Sequence, residues 1–288
     1  GQLSEELRRL DMILETVKLK EEGSLPDAHV VFYILDTPGE KLFIQKRPLV
    51  ILCPGGGYER TSFREGEPIA MYFLGKGYHV AILRYSTAPA VFPAALLELG
   101  RTMSLIHENA ENWKVDEKQI FVQGCSAGGH LAGCLGVMWQ EPFLAEQLHV
   151  KAELLRPAGL LLCYPVISSK EGVAHQGSFR ALLGEACEEK KDSLSLEERV
   201  TEHMPPCFLW HTFADATVPV ENSLLMAGAL HRFGVRTELH IFQEGIHGLG
   251  AADELSRRPD GSGVQEECQC WTELAYRWME GIRRQGQK

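Results

Sequence analysis

The sequence predicts an α/β fold: a mostly parallel central sheet with helices on both of its faces. Three observations carry that expectation. Short β-branched or aliphatic runs alternate with amphipathic helical stretches along most of the chain. One of those runs, Ile120-Phe121-Val122, leads into Gly124-Cys125-Ser126-Ala127-Gly128 and then a small, apolar segment from Gly129 to Trp139, the strand–turn–helix setting in which a serine stands exposed above a sheet. No internal repeat, low-complexity tract or Pro/Ser-rich linker divides the 288 residues, so 1–288 is expected to be a single domain.

The elements follow in order. Thr16–Lys20 and His29–Leu35 read as an opening antiparallel pair, and Leu49–Cys53 as a buried strand ending in Pro54-Gly55-Gly56-Gly57. Pro68–Gly75 reads as a helix. Its proline sits near the first position, where a missing N–H costs nothing, and Glu65 and Glu67 lie by its positive end. His79–Tyr85 is the next strand and Pro93–Asn112 a long amphipathic helix. After the serine unit come short apolar strands at Gly159–Cys163 and Cys207–Trp210, a helix over Val220–Phe233, a strand over Thr237–Phe242 and a last helix near Gln265–Arg284. Right-handed crossovers leave few topologies for such a series. Val166–Pro206 alone breaks the rhythm. It is charged and poor in aromatics, and reads as a small polar cap-like excursion above the sheet, residues 166–206 of the one domain.

Composition narrows the partners. A formal net charge of −10 with no Lys/Arg cluster argues against nucleic acid and anionic membranes. No apolar run approaches the roughly 20 residues that cross a bilayer. Gln2–Glu22 is charged and lacks an apolar core, so it is not expected to be a signal peptide, although Gly1 in place of Met reads as a tag remnant and leaves a natural leader open. Cys53, Cys163 and Cys207 lie in or at the ends of apolar runs and Cys134 in a helix, which suits reduced, buried thiols and a cytoplasmic home. Cys268 and Cys270 have no second pair at metal spacing, so neither zinc nor any other cofactor is expected. A homo-oligomer stays open.

A serine hydroxyl needs a base to become a nucleophile, and the base needs an acid to orient it. On a strand–turn–helix scaffold the chain order is serine, acid, histidine. Asp215 lies five residues beyond the strand end Trp210, and His247 lies just beyond the strand ending at Phe242; both positions fall at the carboxyl edge of the sheet, where ligands gather. Alone, Asp215 reads as a turn residue capping the next helix and His247 as a surface loop histidine; the order after the right strands makes them a triad with Ser126. Asp192 is the rival acid, but it falls in the polar excursion, and Asp253 and Asp260 follow the histidine. His211 reads as a satisfied structural histidine, and His130 as pointing away from Ser126. Gly55, Gly56 and Gly57 can offer two backbone N–H groups to an oxyanion, with Ala127 as the third donor. A phosphate-cradling loop is the competing reading of the glycines, but neither Gly-x-x-x-x-Gly-Lys-Ser/Thr nor Gly-x-Gly-x-x-Gly is present.

With these motifs in order, the chain resembles the α/β-hydrolase superfamily, in its esterase/lipase branch, close to bacterial acetyl-xylan and short-chain carbohydrate acetyl esterases. The matching pieces are Pro54-Gly-Gly-Gly-Tyr58, Glu65-Gly-Glu-Pro68, Arg84-Tyr-Ser86, Gly124-Cys-Ser-Ala-Gly-Gly129, Trp210-His-Thr-x-x-Asp215-x-x-Val-Pro219 and Gly245-Ile-His-Gly248. The resemblance implies an α/β-hydrolase fold and a cofactor-independent serine esterase acting through an acyl-enzyme. Ser126, Asp215 and His247 would be the triad, and two of Gly55–Gly57 plus Ala127 the oxyanion hole. Pro54 departs from the lipase pattern, where a histidine often precedes the glycines, and puts the support of that loop in doubt. The polar excursion, with Phe179 its single large aromatic, suits a short acyl pocket, and the resemblance adds acetylated sugars such as xylo-oligosaccharides as substrates. A peptidase of related fold and a catalytically silent binding protein are the alternatives.

Overall fold

The computed structural model describes residues 12–286, so the stretch from Gln2 to position 11, read above as part of a segment without a signal peptide, lies outside the described residues. Among the described residues eight strands are formed: β1 (Ile13–Lys18), β2 (His29–Ile34), β3 (Arg47–Cys53), β4 (His79–Arg84), β5 (Val115–Cys125), β6 (Gly159–Cys163), β7 (Cys207–Thr212) and β8 (Thr237–Phe242). The helices are α1 (Glu67–Gly75), α2 (Ala94–Trp113), α3 (Ala127–Met138), α4 (Pro142–Leu148), α5 (Gln176–Leu183), α6 (Cys187–Lys190), α7 (Glu221–Arg232) and α8 (Trp271–Gln285).

The strands build one sheet in the order β1-β2-β4-β3-β5-β6-β7-β8. β2 runs antiparallel to both β1 and β4, and every pair from β4 to β8 is parallel. Strands covered on both faces need apolar side chains pointing both ways, hence the unbroken aliphatic runs of β3, β6 and β7. Leu49, Ile51, Val122, Leu160, Leu162 and Leu209 face a core built with α2, α3 and α7. Val50, Leu52, Phe121, Leu161, Phe208 and Trp210 face the opposite core, closed by α1 and α8.

Several boundaries differ from expectation. The opening strand begins at Ile13 rather than Thr16, because its partner Ile34 extends the ladder in that direction. β5 starts at Val115, five residues before Ile120, since Val115 pairs with Arg47 beyond a register shift. The last helix starts at Trp271, preceded by a separate 3₁₀ turn at Glu266–Cys268. α4 has no counterpart in the sequence reading.

Residues 166–206 turn most of their charged side chains outward, while Glu197 is buried and accepts from the hydroxyls of Ser168 and Ser195. Glu185, Glu188, Glu189 and Lys190 are exposed. Ile167, Phe179, Leu183, Leu194, Leu196 and Met204 are buried in the core on the α2/α3/α7 side. The loops after β3, β5, β7 and β8 meet at the carboxyl edge of the sheet, and they bring together Gly55–Gly57, Ser126, Asp215 and His247.

Candidate active site

Ser126 has φ 55° and ψ −120°, a conformation that side chains adopt only when their surroundings enforce it. Here its N–H donates to the Cys163 carbonyl at 2.9 Å, and its own carbonyl accepts from the N–H groups of His130 (3.1 Å) and Val166 (3.0 Å). The glycines flanking it are required by contact. A Cβ on Gly124 would lie 2.0 Å from the Gly128 carbonyl oxygen, and one on Gly128 would lie 1.9 Å from that of Cys53. Sharp turning at this point thrusts Ser126 Oγ out of the strand–helix junction.

Ser126 Oγ lies 2.8 Å from His247 Nε2, and His247 Nδ1 lies 2.6 Å from Asp215 Oδ2. The other carboxylate oxygen of Asp215 accepts from the N–H groups of Thr217 (3.0 Å) and Val218 (2.9 Å). A fourth contact comes from His211, whose Nε2 is 3.3 Å from Asp215 Oδ2 and 2.9 Å from the Val218 carbonyl, while its Nδ1 lies 2.7 Å from Ser223 Oγ. Burial pushes the Asp215 carboxyl up. The hydrogen bonds from His211, His247 and Val218 outweigh it and hold the group well below the usual carboxylate range. The His247 loop is fixed from several sides. Thr212 Oγ1 donates to the Gly245 carbonyl (2.8 Å), Arg64 to that of Gly248 (3.0 Å) and Arg258 to that of His247 itself.

The rival residues lie elsewhere. Asp192 accepts from Ser169 Oγ, Asp253 from the Leu255 N–H, and Asp260 from Ser262. His130 is fully buried; its Nε2 donates to the Leu194 carbonyl (2.8 Å), so its Nδ1 accepts from the Tyr58 hydroxyl (2.9 Å).

Gly56 and Gly57, at φ 138° and 66°, line a cavity of about 230 Å³ together with Ser126 and His247. Gly55 does a different job. A Cβ there would stand 2.7 Å from the Cys125 carbonyl oxygen, so its bare backbone lets the loop close against the strand below Ser126. Ala127 opens α3 directly after the serine, with its N–H at the free amino end of the helix. Support for the loop, in doubt because of Pro54, comes from Tyr85, whose hydroxyl donates to the Pro54 carbonyl.

Three further side chains at this site were not among the site residues expected from the sequence. Tyr164 stacks edge-on against His247 with ring centroids 5.2 Å apart; its hydroxyl donates to Glu65 Oε2 (2.9 Å) and accepts from the Gly250 N–H (2.9 Å). Glu65, noted only beside a helix end and in the family motif, thereby ties the glycine loop to the histidine loop and lines the cavity. His175, from the 166–206 segment, also lines the cavity, held by Ser178. The sequence offered one signal: Tyr164 follows the strand Gly159–Cys163 at the same sheet edge as the triad candidates. Among the described residues no cluster of His, Cys, Asp and Glu could hold a metal ion, and no helix is long and apolar enough to cross a membrane.

Comparison with known proteins adds relatives to this geometry. The BD-FAE family matches residues 38–230. An endo-1,4-beta-xylanase B of Butyrivibrio fibrisolvens is 35% identical over 215 residues, covering 73% of this chain and 33% of that protein. An acetylxylan esterase of Xylanibacter ruminicola is 27% identical over 245 residues, covering 82% of this chain and 46% of that protein. The chain thus spans between a third and a half of these curated relatives. Among solved structures, an acetyl ester-xyloside bifunctional hydrolase from Caldicellulosiruptor lactoaceticus superposes with a TM-score of 0.76 at 38% identity, covering 88% of each chain. A carboxylesterase from Lactobacillus plantarum gives 0.79 at 29% identity, covering 94% of this chain and 98% of the other.

Proposed function

The chain belongs to the BD-FAE family and has the α/β-hydrolase fold, and from that premise we propose that it is a serine esterase cleaving short acyl groups, acetyl above all, from acetylated sugars such as xylo-oligosaccharides. One observation carries the reading: the hydrogen-bonded line from Ser126 Oγ through His247 to Asp215, opening into a small polar cavity. In this reading His247 Nε2 takes the Ser126 proton as Oγ attacks the ester carbonyl, and Asp215 holds the imidazole tautomer and stabilises the imidazolium. The N–H groups of Gly56, Gly57 and Ala127 receive the developing oxyanion. His247 then returns the proton to the departing alcohol, and water cleaves the acyl-enzyme with His247 again as base.

The lining argues for a short acyl group. The cavity of about 230 Å³ is walled by glycines and polar or charged side chains, with no apolar surface for a long chain, and residues 166–206 spend their apolar side chains on the core instead of on an acyl groove. The sugar half of the proposal draws on relatives described as an acetylxylan esterase and an acetyl ester-xyloside hydrolase. We read 1–288 as one catalytic unit in which 166–206 forms the rim. Seven buried cysteines acting as small hydrophobes fit a cytoplasmic setting.

Fluorophosphonate labelling and an ester panel test the proposal. Ser126→Ala should abolish labelling and lower turnover by a factor on the order of 10³–10⁶. Aryl esters should be best at two or three acyl carbons, and acetylated xylo-oligosaccharides should release acetate. No labelling of the wild type would make the chain a silent binding protein. Aminoacyl amides cleaved faster than esters would make it a peptidase, and a chain-length optimum at eight carbons or more would refute the short acyl site.

A further inference from the structure

The cavity at Ser126 has a neighbour. A second space of about 750 Å³ is lined by the Arg60–Arg64 loop and the Arg258–Asp260 turn, and Arg60, Ser62, Arg64 and Arg258 border both. We propose that this second space is the subsite for the saccharide on the leaving-alcohol side, where an uncharged sugar ring stacks on Phe63; this rests on the esterase reading above.

Phe63 is the reason. It is 79% exposed and lines this space, whereas the other exposed apolar side chains of the loops at this edge, Phe213 (62%), Ile246 (43%) and Leu255 (60%), line neither space. A single exposed ring on a protein surface is ordinary; one that lines a groove beside the nucleophile, among convergent polar groups, has the composition of a ligand site. One face is already taken: the Arg84 guanidinium carbon lies 4.7 Å from the ring centroid. Arg84 is itself nearly buried. It donates to the carbonyls of Thr61 (3.3 Å) and Ser62 (2.9 Å) and pairs with Glu67 at 3.4 Å, while the Ser62 N–H donates to the Gly55 carbonyl at 2.8 Å. The ring therefore stands on a fixed base with its other face open. A pyranose brings an apolar C–H face of the same width, ringed by hydroxyls. A platform fixed in advance spares the ordering cost that weakens most carbohydrate contacts.

The surroundings suit the hydroxyls. Thr61, Arg60, Arg258 and Asp260 provide donors and acceptors around the ring. Across the two spaces three arginines (60, 64, 258) face three carboxylates (Glu59, Glu65, Asp260), so the formal charge cancels and neither an anionic nor a cationic sugar is favoured. An acyl chain would find only Phe63 and Pro259 as apolar lining. The direction is also right. Arg258 donates to the His247 carbonyl, so the Arg258–Asp260 wall hangs on the loop of the residue that must protonate the leaving oxygen.

The test compares acetylated xylotriose with an aryl acetate in wild type, Phe63→Ala and Phe63→Trp, with melting temperatures recorded to verify folding. The ratio of kcat/KM for saccharide over aryl ester should fall about tenfold in Phe63→Ala, the scale of one lost aromatic contact, and recover in Phe63→Trp. A ratio that stays within twofold in Phe63→Ala overturns the proposal. Unacetylated xylotetraose gives a second reading, independent of saccharide turnover. It should inhibit aryl acetate hydrolysis competitively in wild type and about tenfold more weakly in Phe63→Ala. Wild type that deacetylates no saccharide refutes the sugar-ester reading alone, and the subsite then stands if xylotetraose inhibits and falls if it does not.

Discussion

Gly128→Ala gives the sharpest test of the proposed oxyanion hole. The added Cβ would stand 1.9 Å from the Cys53 carbonyl oxygen and 2.6 Å from that of Pro54, both backbone atoms at the end of β3. Real Cβ contacts keep at least 3.0 Å, so the start of α3 and the end of β3 must part by about 1 Å. Those two elements carry the two halves of the hole: Ala127 on α3, and Gly56 and Gly57 in the loop that leaves β3. A donor about 1 Å too far from an oxygen no longer makes a hydrogen bond. Losing one such donor costs about 10²–10³ in kcat, with little effect on KM, because the oxyanion exists only in the transition state. Overpacking of this kind also costs about 1–3 kcal/mol of stability, or several degrees of melting temperature in a chain of this size. Kinetics on an aryl acetate, well below that transition, measure the first effect. Gly228→Ala is the control, since a Cβ there meets nothing within 4 Å and α7 gains a better helix former. A Gly128→Ala kcat within threefold of wild type would refute the idea that these halves must be held at this spacing.

Acid should weaken the fold through two histidines: burial first of all lowers both His79 and His130 to about 4. Unfolded histidines titrate near 6.5, so each stays neutral in the fold while its unfolded form takes up a proton, and stability, full above about pH 6.5, falls toward pH 4 by up to about 1.4 kcal/mol per unit for each. Melting temperatures across pH 7 to 4.5 should show this, and a slope unchanged in His130→Gln would refute it. Asp215→Asn should lower kcat by about 10⁴, because the amide cannot fix the imidazole tautomer; kinetics within tenfold of wild type would remove Asp215 from the relay. Asp215 is held ionised well below the usual carboxylate range, so activity should show no loss from its protonation at the pH where an ordinary carboxyl titrates; a step there in the pH profile of kcat/KM would contradict this. Cys125→Ala should keep kcat within a few-fold, because its thiol is buried and accepts from Gln123 Nε2 at 3.1 Å, away from the cavity; loss of fluorophosphonate labelling in that variant would move the nucleophile assignment.

The strand–helix alternation could be read from the sequence because each central strand needs two apolar faces and each helix one, and local pattern encodes both. Ser126, Asp215 and His247 could be found because turn chemistry and chain order constrain them before any tertiary contact is known. Contacts made only across the fold were beyond such reading. Tyr164 and Glu65 are 99 residues apart in hydrogen-bond separation. His211 has the look of a lone strand-end histidine until the β7–α7 loop folds Asp215 back beside it. The 166–206 segment misled for a similar reason: its charges are all in view, while the burial of Phe179, Leu194 and Leu196 depends on the helices beneath.

The buried His130 bridge sets terms for anyone who would rebuild the rim. One nitrogen holds Tyr58, the residue after the glycine loop, and the other holds the Leu194 carbonyl in the rim. Rim and glycine loop are therefore registered through a single imidazole on the serine's own helix. Exchanging 166–206 for a longer lid is thus a splice with a required docking point. A graft that supplies a backbone acceptor where Leu194 now does will leave the glycine loop in register, whereas one that omits it leaves the His130 N–H orphaned under the nucleophile helix, and turnover of even the smallest ester will suffer before any new specificity can be measured.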